Sequence, residues 1–301
     1  MNVHRLEKPL PISNDQTVRV KECGPIVEIM AREHNGHGTC NTLKISNDEY
    51  IDLRSGEIKM FNHLTSRADD LKSVSRSLAL GRDMINTNVD DVLRCRWLTL
   101  TYAENMTDPQ KLMFDFKNFN KRCRDRFGHY EYITAAEPQA RGAWHLHCIL
   151  IFDSKAPFMP NEVVSDLWKQ GFVTIKKLED VDNVGAYLTA YLGDMELSEA
   201  LQIGIKSGDV KEITFQEDGI TKSKRYVKGA RLVMYPPKFN IFRYSRGCKK
   251  PTVSRMDYKQ AKEKVRMGVR TFSKGIILAD DSCDFQDTIT YEYYNTTKQP
   301  K

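Results

Sequence analysis

The run Trp144-His-Leu-His-Cys-Ile-Leu-Ile-Phe152 constrains this chain more than any other stretch. Strand side chains alternate between faces, so Trp144, Leu146, Cys148, Leu150 and Phe152 form one uniformly apolar row. His145 and His147 then project together on the other side. The apolar row has to be covered by helices, which leaves the imidazoles on the opposite face. Upstream, Tyr130 to Glu137 reads as a second strand. The turn-rich Pro138-Gln139-Ala140-Arg141-Gly142 folds the two strands into a hairpin and brings Glu137 back beside the histidines.

Around this hairpin the spacing predicts a regular order of elements. Arg96 to Tyr102 reads as a strand and Asp108 to Phe127 as a helix, begun by Asp108-Pro109 and ended by Gly128. Asn161 to Gln170 follows as a short helix, Phe172 to Lys177 as a strand, and Asp182 to Gly193 as a last helix. The expected fold class is α+β: a central antiparallel sheet of βαββαβ type with helices on one face and the other face free. Residues 91–195 carry it. Residues 1–90 are expected to be an N-terminal α+β extension, with strands in Val18 to Glu33 and Thr42 to Asn62 and a helix from Ser66 to Ile85 capped by Ser66. Residues 196–301 are expected to be a basic C-terminal DNA-binding region with a loose polar tail from Asp280.

The net charge of +6 is unevenly placed. Lys222 to Lys250 holds ten Lys/Arg and no Asp/Glu, so this segment carries +10 and the rest of the chain −4. A polyanion partner and a solvated surface run are both compatible with that. Seven cysteines, scattered and never in a CxxC pair, suit a reducing compartment. The polar start, Met1 to Asp15, and the short apolar runs point to a cytoplasmic protein without a membrane span. No GxxxxGK[ST] occurs, so no P-loop ATPase is expected.

Two imidazoles at i, i+2 and a carboxylate can share one divalent ion and leave coordination positions open for water or a phosphate oxygen. The other use for Glu137 is a salt bridge to Arg141. Tyr187 and Tyr191, four residues apart, share one face of the last helix. Taken alone they suit packing as well as chemistry. Beside a bound cation, a phenol can attack a phosphodiester. His34, His37 and Cys40 lie in a Gly-rich segment that reads as a turn in preference to a zinc clip.

These residues resemble the HUH endonuclease superfamily, in which a hydrophobic residue separates two histidines (here His145-Leu146-His147), an acidic ligand (Glu137) precedes them and a nucleophilic tyrosine follows. The Tyr-x-x-x-Tyr pair is similar to that of rolling-circle replication initiators of plasmid and integrative-element type. The strand Leu98 to Tyr102, with Thr99 and Thr101, resembles the family's DNA-contact motif. The resemblance implies a strand-specific nickase. Tyr191 or Tyr187 would form a 5′-phosphotyrosine link and release a 3′-OH, with Mg²⁺ or Mn²⁺ on Glu137, His145 and His147. Origin DNA, single-stranded or in a hairpin, would be the partner, with a host helicase and polymerase. Initiators of this kind carry a lysine three residues after the tyrosine. Here those positions are Ala190 and Asp194. Lys176 or Lys177 could substitute, and Asp194 could assist the metal.

On this reading Arg225, Lys228, Arg231, Lys238, Arg243 and Arg246 track phosphates. Tyr226, Tyr235, Phe239, Phe242 and Tyr244 either stack on unpaired bases or fill strand core. Two other readings remain open at this level, a relaxase or transposase of the same superfamily and a non-catalytic DNA- or RNA-binding regulator.

Overall fold

The computed structural model describes residues 2–34, 41–62, 64–178, 192–205, 209–217, 220–280 and 285–298. The fold is mixed α+β with antiparallel sheets. In space the chain divides into two units, Met1–Thr65 with Pro251–Lys301, and Ser66–Lys250. The first unit begins with strands β1 (Asn2–Arg5), β2 (Thr17–Cys23) and β3 (Ile26–Arg32). A small separate sheet follows, β4 (Thr42–Lys44), β5 (Glu49–Asp52) and β6 (Ile58–Met60).

The second unit opens with helix α1 (Leu71–Asn88), whose N-cap is Asp70. The expected cap, Ser66, instead closes a capping box on the single turn Arg67–Asp69 just before it. Then come β7 (Cys95–Thr101), α2 (Pro109–Phe127), β8 (Tyr130–Pro138), β9 (Trp144–Phe152), α3 (Asn161–Trp168) and β10 (Val173–Lys176). The signals at α2 act as the sequence predicts. The Asp108 carboxylate accepts from Gln110 N, Pro109 takes the first helical position, and Gly128 ends the helix at φ +88°. The last helix expected, from Asp182, lies outside the described residues apart from its end.

These strands form one sheet in the order β10-β7-β9-β8-β14, where β14 is Phe242–Tyr244. On one side, Leu98, Leu100, Leu146, Cys148 and Leu150 pack on Leu112, Phe116 and Phe119 of α2 and on Val164 and Trp168 of α3. Each such side chain, fully buried, contributes roughly 1.5–3 kcal/mol. The other side is not left free, as the sequence reading had it. Met84 and Ile85 of α1 cover Ile133, Ile149 and Ile151, which continue the row of His145 and His147 away from the imidazoles. Gly81 makes this possible, because a Cβ there would stand 2.6 Å from the Phe242 ring. Ile149 and Ile151, apolar on the histidine side, were the signal for this cover. What stays uncovered by α1 is the histidine end of the face.

The same unit holds a three-stranded sheet, β11 (Met195–Glu196), β12 (Val210–Glu217) and β13 (Ile220–Val227), with a short helix at Leu197–Gln202. The first unit is completed by β15 (Thr252–Asp257), the helix Tyr258–Lys264, β16 (Val269–Asp280) and β17 (Phe285–Asn295). Its main sheet runs β1-β16-β17-β3-β2-β15. The start and end of the chain therefore share one sheet, unlike the three consecutive parts read along the sequence. The tail expected to be loose is instead a central strand. Thr288, Ile289, Thr290, Glu292 and Tyr294 are buried in it, and its β-branched and aromatic residues suit that position. No helix among the described residues is long and apolar enough to cross a membrane. Cys23, Cys95, Cys123, Cys148 and Cys248 are free and buried.

Candidate metal centre

The hairpin register sets the site. Glu137 pairs with His145, and Ala135 with His147, across β8 and β9, while Thr101 and Thr99 pair with the same two histidines across β7. Paired residues project to one side of a sheet, so the carboxylate, both imidazoles and both threonines share a face. The turn between the strands closes through Gln139 N→Ala143 O at 2.8 Å and Gly142 N→Gln139 O at 2.8 Å, with Gly142 at φ +91°. A positive φ at this point suits glycine.

Glu137, His145 and His147 each offer one ligand atom, and these atoms lie within 4.8 Å of one another. His147 Nε2 is 2.5 Å from Glu137 Oε2, and its Nδ1 is 3.1 Å from Thr99 Oγ1. Trp97 Nε1 donates to the same Thr99 hydroxyl at 3.3 Å, and its ring lies 5.4 Å from the His147 ring. The His147 imidazole is thus held at both nitrogens and along one side. His145 stands at 90° to it, with ring centroids 6.3 Å apart.

Nε2 of His145 is buried and has no hydrogen-bond partner. Buried polar atoms are nearly always satisfied, so this orphan nitrogen points to a ligand that the protein itself does not supply. Burial, with help from the neighbouring charges of His147, Arg141 and Arg231, pushes the His145 pKa down to about 4 despite the opposing pull of Glu137. The ring is therefore neutral at pH 7, with a lone pair to give. Burial alone would raise the Glu137 pKa. The His147 hydrogen bond and the charges of Arg231 and the histidines outweigh it, and the carboxyl is held below its usual range. A neutral imidazole and an ionised carboxylate are the forms that ligate metal, so the donor set fits a divalent cation.

The partner of Glu137 is not Arg141, whose guanidinium donates to Gln139 Oε1 and Tyr102 O. It is Arg231, 3.1 Å from Glu137 Oε1 and 7% exposed. Arg231 also donates to Pro138 O at 2.7 Å and Asp194 O at 3.0 Å. A second tie lies beside it. The buried Tyr235 hydroxyl donates toward Ala136 O at 2.9 Å and Leu192 O at 3.1 Å. Together these bonds fasten the chain at Leu192–Asp194, directly after the tyrosine motif, to the metal-bearing strand β8. Sequence reading placed Arg231 among phosphate contacts. The charge pattern marked the residue, but only the fold shows that the charge is spent inside.

The other expected site residues fall into three groups. Tyr187 and Tyr191 lie outside the described residues, as do His37 and Cys40. Arg225, Lys228, Lys238, Arg243 and Arg246 are exposed, with Arg225 3.8 Å from Glu212 and Lys228 3.9 Å from Asp209. They are spread over β13, β14 and the intervening loops. Of the aromatics between them, Tyr235 is core, Phe239 stacks on Trp144 at 4.9 Å, and Phe242 packs at Gly81; Tyr244 is 39% exposed. Asp194 is engaged away from the cluster, accepting from Gly229 N at 2.8 Å and pairing with Lys211 at 2.5 Å. Lys176 pairs with Trp97 across β10 and β7, so its exposed side chain emerges on the metal face.

Residues 95–196, about a third of the chain, match a family model described as a replication-associated protein of the ORF2 type. No curated protein and no solved structure matches the chain. The matched segment is the one that carries Glu137, His145 and His147.

Proposed function

We propose, from the likeness of residues 95–196 to replication-associated proteins, that this chain is a rolling-circle replication initiator of the HUH type, a metal-dependent nickase that stays joined to the 5′ end it creates. One observation carries the reading: the Glu137–His145–His147 cluster, with its orphan buried nitrogen, sits inside the replication-associated segment. The strand–helix–strand–strand–helix–strand order and the open histidine end of the sheet support it.

In this mechanism Glu137, His145 and His147 hold Mg²⁺ or Mn²⁺, which supplies polarisation of the scissile phosphate. The Oη of Tyr191 or Tyr187 attacks phosphorus, and the bond from phosphorus to the 3′ oxygen breaks. The phenol gives up its proton, and the departing 3′ oxygen takes one to become a free 3′-OH. One phosphodiester is exchanged for another, so the reverse reaction rejoins the strand. Two tyrosines allow a second transfer after a round of synthesis. Lys176 takes the place of the lysine missing after the tyrosines, with Thr99 and Thr101 beside the path of the DNA. Unwinding and synthesis fall to a host helicase and polymerase in the cytoplasm.

The deciding experiment is a strand-specific nicking assay on origin DNA with Tyr187→Phe, Tyr191→Phe and the double variant. The double variant is expected to bind the DNA and to form no covalent adduct. Nicking by the double variant would overturn the nucleophile assignment. Binding without any nicking by the parent chain would favour a regulator.

A further inference from the structure

The six-stranded sheet of the first unit has two unlike faces. On one, Val18, Val20, Val27, Ile29 and Tyr294 pack with Ala261 and Val265 of the helix Tyr258–Lys264. Leu6 and Pro9 lie over Gly275 on that same side, where Gly275 pairs with Thr290. The alternate residues make the other face. There Phe272 pairs with Tyr293, Lys274 with Tyr291, and Arg255 with Arg19.

Three rings form a row on this second face. Phe272 and Tyr293 are 5.9 Å apart, and Tyr293 and Tyr291 are 6.4 Å apart and nearly parallel, at 14°. Cations flank the row, with Arg5 5.9 Å from the Phe272 ring centre and Lys274 4.9 Å from that of Tyr291. The buried acids of the face are already answered. Glu28 pairs with Arg19 at 2.8 Å and Lys21 at 3.3 Å, and Asp287 pairs with Arg32 at 2.5 Å. Arg5, Arg255 and Lys274 make no ion pair among the described residues, and Arg5 and Arg255 are exposed. Phe272 is 46% exposed, a high value for a phenylalanine in a strand.

Aromatic rings on a pleated sheet between uncompensated cations match one ligand chemistry, a flexible polyanion with flat apolar faces. In duplex DNA those faces are occupied by neighbouring bases, and in a single strand they are exposed. We propose that this sheet face binds single-stranded DNA, with bases stacked on Phe272, Tyr293 and Tyr291 and phosphates met by Arg5, Arg255 and Lys274. The platform belongs to the unit that lacks the metal cluster and would hold a displaced strand without regard to sequence.

The test uses the full-length Tyr187→Phe/Tyr191→Phe chain, so that covalent capture contributes nothing, and an oligothymidylate of about 20 nucleotides, long enough for a single binding platform. Phe272→Ala is expected to weaken binding about tenfold, with Phe272→Trp retaining it. Arg5→Glu with Arg255→Glu is expected to lower the salt slope of log Kd by about 1.4, the value for two lost phosphate contacts. Photocrosslinking with bromodeoxyuridine checks the site without any substitution. Adducts are expected within residues 270–274 and 291–294. Adducts confined to residues 66–250, or variants that bind as the parent does, would overturn the proposal. A chain that fails to nick yet shows these crosslinks would leave this face standing and remove the nickase reading.

Discussion

Arg231 lies 3.1 Å from Glu137 Oε1, which leaves Oε2 to face His147 Nε2 at 2.5 Å. A residue far along the chain thus sets which carboxylate oxygen is turned toward the histidines. Arg231→Met would leave the Glu137 charge without its main counter-charge in a largely buried place. The expected loss is on the order of 3 kcal/mol in urea unfolding, and Glu137→Gln added to Arg231→Met should recover part of it. Equal midpoints for Arg231→Met and the parent would show that the pair carries no stability.

Thr99 touches the site through His147 Nδ1 only. Groups that orient a metal-binding imidazole affect affinity without being ligands themselves. Thr99→Val is therefore expected to weaken Mn²⁺ binding by roughly 10-fold or more in calorimetric titration, with an unchanged thermal midpoint for the metal-free chain. His147→Ala should abolish measurable binding. Retention of parent affinity by His147→Ala would dismiss the cluster as a metal site.

Chelation should separate two activities. With the divalent ion removed, nicking is expected to stop, while binding of origin DNA, which rests on cations and stacking, should fall by less than about tenfold. A mobility-shift assay run beside the nicking assay reads both. Cleavage that persists in chelator would take the metal out of the chemistry.

The burial of His145 predicts a pH effect in the metal-free chain. Its pKa is about 4 in the folded protein against 6.5 ordinarily. Between those values the unfolded chain binds a proton that the folded chain refuses, so stability falls as the pH drops through this window and changes no further below it. The group accounts for a loss of roughly 2–3 kcal/mol between pH 7 and pH 4. His145→Asn should flatten that part of the unfolding profile; an unchanged slope would mean that the ring is solvated.

Two glycines with positive φ should respond very differently to alanine. At Gly171 a Cβ would stand 2.3 Å from Ala103 N and 2.6 Å from Thr101 O, both backbone atoms at the end of β7. At Gly128 nothing lies within 4 Å. Gly171→Ala is expected to cost about 3 kcal/mol and to disturb the neighbouring metal face, and Gly128→Ala about 1 kcal/mol from its backbone conformation alone. Thermal melts of the two variants would check the contrast, and similar losses would contradict it.

What the sequence determined by itself was local. The period-2 row from Trp144 to Phe152, the Pro138–Gly142 turn and the capping signals at Asp108 and Gly128 each act over a few residues, through backbone dihedrals and alternation. They were enough to bring Glu137, His145 and His147 to one place. The tertiary structure alone decided who covers what. Ile149 and Ile151 announced a need for burial but not that α1 would meet it. Arg231 announced a charge but not that Glu137 would take it up. The strand Phe285–Asn295 reads as a polar tail until β3 and β16 enclose it. Burial and charge pairing act between residues far apart in the chain, and one sequence states the demand at each position without naming the partner that satisfies it.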